Sequence, residues 1–135
     1  MKIVLMADNR KNELLVNFCI AYKTLLLKHQ LVSVYNTAKL IKASAGIEVS
    51  GLSVDYSSGL EQLAARASFN EIDCVIYLRD GKGESLAASH ELLDVCDYNN
   101  IPYATNLATA ETLILAIDRG DLDWRLWLKE TPQVS

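Results

Sequence analysis

Apolar and polar positions along the chain fall into two alternating rhythms. Residues 2–7, Lys-Ile-Val-Leu-Met-Ala, make a short apolar run ended by the polar cluster Asp-Asn-Arg-Lys-Asn. Such a run is the signature of a buried strand. Residues 12–29 then place Leu14, Leu15, Phe18, Cys19, Tyr22, Leu25 and Leu26 at helical spacing over several turns. Residues 30–36 read as a second strand, and 37–46 as a helix ended by Gly46, a residue free to take positive φ. Residues 47–55 are strand-like, and 58–70 form a helix with Asn70 near its end. The clearest strand is 73–80, Asp-Cys-Val-Ile-Tyr-Leu-Arg-Asp, which emerges at Arg79 and Asp80. After a flexible loop at 81–84 come a helix at 85–100, a last strand at 101–106 and a last long helix at 108–120, stopped by Gly120. Five strands alternate with five helices, with no tight hairpin signal. That alternation predicts a parallel sheet with helices on both faces.

In such folds ligands bind beyond the carboxyl ends of the strands. This rule selects Asp8 and Asn9 after the first strand, Asn36 and Thr37 after the second, and the stretch Asp55 to Gly59 after the third. It also selects Arg79 and Asp80 after the fourth, and Thr105 and Asn106 after the fifth. Each loop has a second reading. Asp8 and Asn9 bind a hydroxylated ligand or shape a turn. Ser57, Ser58 and Gly59 offer N–H groups to an anion or only cap a helix. Arg79 binds phosphate or pairs at the surface. Asp80 serves as a base, holds a hydroxyl, or caps the next loop.

Composition narrows the partners. At 135 residues, half of them hydrophobic, the chain suits one soluble domain with a sizeable core. We place that domain at 1–128, with 129–135 as a frayed tail. A net charge of −4 argues against nucleic acid and acidic membranes as partners. Cys19, Cys74 and Cys96 lie far apart in apolar surroundings, which predicts reduced, buried thiols and a cytoplasmic protein. No run approaches the ~20 apolar residues of a membrane span. His29 and His90 stand apart from any acidic or thiol set at ligand spacing, so no metal and no cofactor is expected. Trp124 and Trp127, three apart, suggest a helix face packed on the domain or on another subunit.

The stretch Ile-Pro-Tyr-Ala-Thr-Asn-Leu-Ala-Thr-Ala-Glu (101–111), with Leu-Arg-Asp at 78–80 and the opening at residues 1–11, resembles the methylglyoxal synthase family over nearly the whole chain. The resemblance implies a flavodoxin-like three-layer α/β sandwich on a central, mostly parallel five-stranded sheet. It also implies a homo-oligomer, commonly a hexamer. Members of the family eliminate phosphate from dihydroxyacetone phosphate. That chemistry needs a carboxylate base, a polariser for the enediolate oxygen and an anion cradle.

Against the family pattern several positions differ. Asp8 stands where the family has a histidine, and Asn12 where it has a lysine. The phosphate loop keeps Thr37, but Tyr35 and Ala38 replace its glycines. Gly59 is kept, and Leu60 stands at the position of the general base. Asp80 is kept, whereas the following loop, to residue 89, lacks the family's His and Asp. The expectation is a methylglyoxal-synthase-like domain, inactive or strongly diverged, that binds a small anionic or phosphorylated metabolite. Its ligand residues are Asp8, Asn9, Asn36, Thr37, Ser57, Ser58, Gly59, Arg79 and Asp80. One alternative is an active lyase with relocated residues, using Asp80 with Asp55 or Glu61. Another is an oligomeric interaction partner of an active paralogue.

Overall fold

A computed structural model describes residues 1–82 and 87–130. Five strands form one parallel sheet: β1 (Lys2–Ala7), β2 (Gln30–Val34), β3 (Ser50–Leu52), β4 (Cys74–Leu78) and β5 (Tyr103–Ala104). Seven α-helices accompany them among the described residues: α1 (Asn12–Ala21), α2 (Lys23–Leu26), α3 (Tyr35–Ala45), α4 (Tyr56–Ser68), α5 (Ala87–Tyr98), α6 (Leu107–Asp118) and α7 (Trp124–Glu130). The result is the expected three-layer α/β sandwich. Its strand order is β3-β2-β1-β4-β5, the doubly wound order that runs outward from β1 in both directions, distinct from the 2-1-3-4-5 of flavodoxin itself.

The central strands show why an unbroken apolar run is needed. Side chains alternate between the two sheet faces, and both faces are covered. Ile3, Leu5 and Ala7 of β1, with Cys74, Ile76 and Leu78 of β4, pack on the helices α1, α2, α3 and α6. Val4 and Met6, with Val75 and Tyr77, pack on α4 and α5. All three cysteines are buried and free. Burial pushes each thiol up to about 12, so none is a ready nucleophile.

Several boundaries moved. The expected helix at 12–29 divides at Tyr22 into α1 and α2. The third strand shrinks to three paired residues at the sheet edge. Tyr35 and Asn36, expected in a strand, open α3. Gly46 ends α3 with φ +69, and Asn70 takes φ +56 after α4. The expected loop at 81–84 and helix start at 85 fall partly on residues 83–86, outside the described residues. Helix α7 runs two residues past the expected domain end at 128, and Lys129 pairs with Asp73 on the domain body. Arg125 anchors this helix: it is almost fully buried and donates to the carbonyls of Asn99, Asn100 and Ile72 and to Asn70 Oδ1. No helix among the described residues is long and apolar enough to cross a membrane.

Candidate functional site

The winding reverses between β1 and β4, so loops leave the carboxyl ends of these two neighbours in opposite directions. Such a reversal opens a crevice, and here it holds a cavity of about 490 Å³. Strand β1 and the turn after it contribute Ala7, Asp8, Asn9, Arg10 and Asn12. Helix α3 contributes Asn36, Thr37 and Leu40. Tyr56 comes from the start of α4, and Tyr77 and Asp80 from the end of β4.

Asp8 is the hub of the strand side. Its Oδ1 accepts the Tyr77 hydroxyl at 2.9 Å and its Oδ2 accepts the Asp80 backbone N–H at 2.7 Å. The Tyr56 and Tyr77 hydroxyls lie 2.9 Å apart. Burial, the Tyr56 hydroxyl and Asp8 all push the Tyr77 phenol up, and burial above all pushes Tyr56 up. Both phenols therefore stay neutral. Asp80 accepts the Lys82 N–H and lies 3.7 Å from the Arg10 guanidinium, whose side chain is 82% exposed at the rim.

The helix side is different in kind. Helix α3 begins without a side-chain cap, and the first N–H groups of a helix have no intrahelical acceptor. The Tyr35 N–H finds Ser53 O. Asn36 and the buried Thr37 follow at the cavity wall. Partial positive charge gathers at such an end, which suits an anion.

Of the expected ligand residues, Asp8, Asn9, Asn36, Thr37 and Asp80 meet at this cavity, and Ser57, Ser58, Gly59 and Arg79 are not among its lining residues. The start of α4 is occupied by the chain itself. The Asp55 carboxylate accepts both the Ser58 N–H at 2.9 Å and the Ser58 hydroxyl at 2.8 Å. Those bonds hold the Asp55 carboxyl below its usual range. The Gly59 N–H is bonded to Asp55 O. Gly59 is there for packing: a Cβ would lie 2.4 Å from Val34 Cγ1, so only glycine lets α4 approach β2. Arg79 is half-buried at the end of β4, where its N–H bonds Thr105 O. Asn106 caps α6 by accepting the Thr109 N–H.

Leu60, at the position of the expected base, is fully buried in the core between the sheet, α4 and α5. The cavity is met instead by Tyr56, one turn earlier on the same side of α4. Glu61 is exposed. Neither it nor Asp55 is among the lining residues. Tyr56 and Tyr77 escaped the sequence reading. One signal was present: a tyrosine inside an otherwise aliphatic buried strand needs a partner for its hydroxyl.

This arrangement can hold an anionic group at α3 and hydrogen-bond a polar ligand at Asp8 and Asp80. No group of three or more His, Cys, Asp or Glu among the described residues is placed to hold a metal ion.

Comparison with known proteins gives the site its context. A family model, the MGS-like domain, matches residues 14–105. The chain is 46% identical over 130 residues to methylglyoxal synthase of Caldicellulosiruptor saccharolyticus, covering 93% of this chain and 90% of the relative. It is 42% identical over 136 residues to methylglyoxal synthase of Alkaliphilus metalliredigens, covering 96% and 98%. The crystal structure of methylglyoxal synthase from Elizabethkingia anophelis NUHP1 superposes with a TM-score of 0.76 at 28% identity, covering 84% of this chain and 76% of that one. With its doubly wound sheet, its cavity at the β1/β4 reversal and these relatives along nearly its whole length, the chain belongs to the methylglyoxal-synthase-like domain family.

Proposed function

We propose that this chain is a ligand-binding member of its family that does not eliminate phosphate from dihydroxyacetone phosphate. Its ligand is a small phosphorylated or otherwise anionic metabolite held at the carboxyl ends of β1, β2 and β4. The observation that carries this reading is the pairing of an uncapped α3 start beside Thr37 with a base position, Leu60, sealed in the core. An anion has a place to bind, and the expected proton acceptor is an aliphatic side chain out of reach. The polariser is also changed. Asp8 carries negative charge, which opposes rather than stabilises a developing enediolate oxygen. General-base catalysis alone is worth about 10²–10⁴ in rate, and loss of the polariser adds to that deficit.

A second reading has one observation in its favour. Two carboxylates, Asp8 and Asp80, line the cavity, and either would serve as a relocated base in an active lyase. Purified protein should be assayed for methylglyoxal formed from dihydroxyacetone phosphate, alongside calorimetric titration with inorganic phosphate. The first reading expects phosphate binding that weakens in Thr37→Val, with no methylglyoxal above background. Robust turnover that disappears in Asp8→Asn or Asp80→Asn would establish the second instead.

A further inference from the structure

The group of Asp8, Tyr77 and Tyr56 at the cavity presents acceptors. Tyr77 has one hydroxyl hydrogen, and it goes to Asp8 Oδ1. The Tyr77 oxygen must then accept from Tyr56, 2.9 Å away. With the Tyr56 hydrogen committed in this way, its oxygen has only lone pairs left to offer. Asp8 and Asp80 carry nothing but acceptors, and Asn12 Oδ1 is buried with no donor. Among the described lining residues the single cation, Arg10, sits at the rim beside Asp80. Around Asp8, Tyr56 and Tyr77 the hydroxyl hydrogens are thus committed, and the donors left on the strand side are the Asn9 and Asn12 amides and Arg10. Helix α3 adds its opening N–H groups and the Thr37 hydroxyl as donors.

Resting on the proposal that an anionic group binds at α3, we infer that the ligand is a polyol carrying a phosphate, an alcohol rather than a ketone beside its anionic end. A ligand hydroxyl can donate to a remaining lone pair of Asp8 or Asp80, beside the bonds each already accepts. A carbonyl oxygen in the same place is one more acceptor facing two carboxylates. It gains no bond from either carboxylate and suffers repulsion from both. A site that accepts from a ligand hydroxyl disfavours the analogue without one, because a hydrogen bond to a charged group is lost. The preference expected for an alcohol over the matching ketone is on the order of 10- to 100-fold, the scale of one charge-assisted hydrogen bond.

Glycerol 3-phosphate and dihydroxyacetone phosphate are suitable probes, since they differ only in the alcohol or carbonyl at the middle carbon. Calorimetric titration should be run with both, and with inorganic phosphate, on the unmodified protein and on Asp8→Asn and Thr37→Val, each shown to be folded by circular dichroism. The expected result is glycerol 3-phosphate bound at least ~10-fold more tightly than dihydroxyacetone phosphate. In Asp8→Asn the ratio should collapse, because the new amide can donate to a carbonyl. In Thr37→Val both organic phosphates should weaken by a similar factor, leaving the ratio in place. Phosphate and both probes binding with no preference, or with dihydroxyacetone phosphate preferred, would overturn the inference while leaving the anion site standing. If none of the three binds, the anion site fails, and the inference falls with it.

Discussion

Tyr77 donates its hydroxyl to Asp8 across the carboxyl ends of two neighbouring strands, 2.9 Å from oxygen to oxygen and 69 residues apart in the chain. The two strands are in register there, Met6 beside Tyr77 and Ala7 beside Leu78. The first side chain past β1 on the α4/α5 face therefore meets the tyrosine. This bond fixes one carboxylate oxygen of Asp8, and the Asp80 N–H fixes the other. The carboxylate thus has a set orientation before any ligand arrives.

Tyr77→Phe keeps the ring and its packing while removing the hydroxyl. Asp8 loses a donor and Tyr56 loses its acceptor, leaving Tyr56 the longer contact to Ala7 O at 3.4 Å. The expected loss is ~1–3 kcal/mol, typical of a hydrogen bond to a charged group, read as a lower urea midpoint at unchanged slope. An unchanged midpoint would show that the relay contributes nothing to the fold.

Leu60→Asp tests where α4 directs its side chains. Leu60 has no exposed surface and packs among Val34, Leu63 and Ile72 in the same core layer. A carboxylate there has no partner within an apolar layer. The variant is expected to lose ~3–5 kcal/mol or to fail to fold, and to form no methylglyoxal. A stable, active Leu60→Asp protein would mean that this side chain reaches the cavity after all.

Asp55 gives a stability that depends on pH. Its folded carboxyl titrates below the usual value because it accepts two bonds from Ser58. A depressed carboxyl contributes stability that is full above the unfolded value, ~3.9, and is lost as pH falls through the lower folded value. Thermal melts of the unmodified protein and Asp55→Ala should differ at pH 7 and converge as the pH drops below 4. A gap that persisted undiminished at pH 2.5 would remove the carboxylate from the account.

Self-association is expected from α7. Trp127 and Leu128 are 65% and 62% exposed, and Trp124 is 42% exposed. That much apolar surface on one short helix favours a covering partner, and a second copy of the chain is always at hand. Light scattering at micromolar concentration should give a mass well above 15.0 kDa, and Trp127→Glu with Leu128→Glu should lower it. A monomeric mass for the unmodified protein would refute this.

The alternation of apolar runs and helical spacing was enough to place five parallel strands under two helical layers, since a parallel sheet buried on both faces admits only such runs. Helix ends at Gly46 and Asn70 were legible for the same local reason: few residues accept a left-handed backbone. Asp8, Asn9, Asn36, Thr37 and Asp80 could be gathered in advance because strand order and chain direction put their loops at one edge. Other features were settled only by packing. Which helix start stays open depends on a cap: α4 closes on Asp55, whereas α3 has none. Where Leu60 points depends on the rotation of α4 against the sheet, set by the close contact of Gly59 with Val34. Periodicity marks the apolar side of that helix and leaves undecided which end of it borders the cavity. The acceptor-rich wall built by Asp8, Tyr77 and Tyr56 joins three distant parts of the chain. Hydrogen-bond direction is a property of such a group and of no single residue, so it came into view only once the fold had brought the three together.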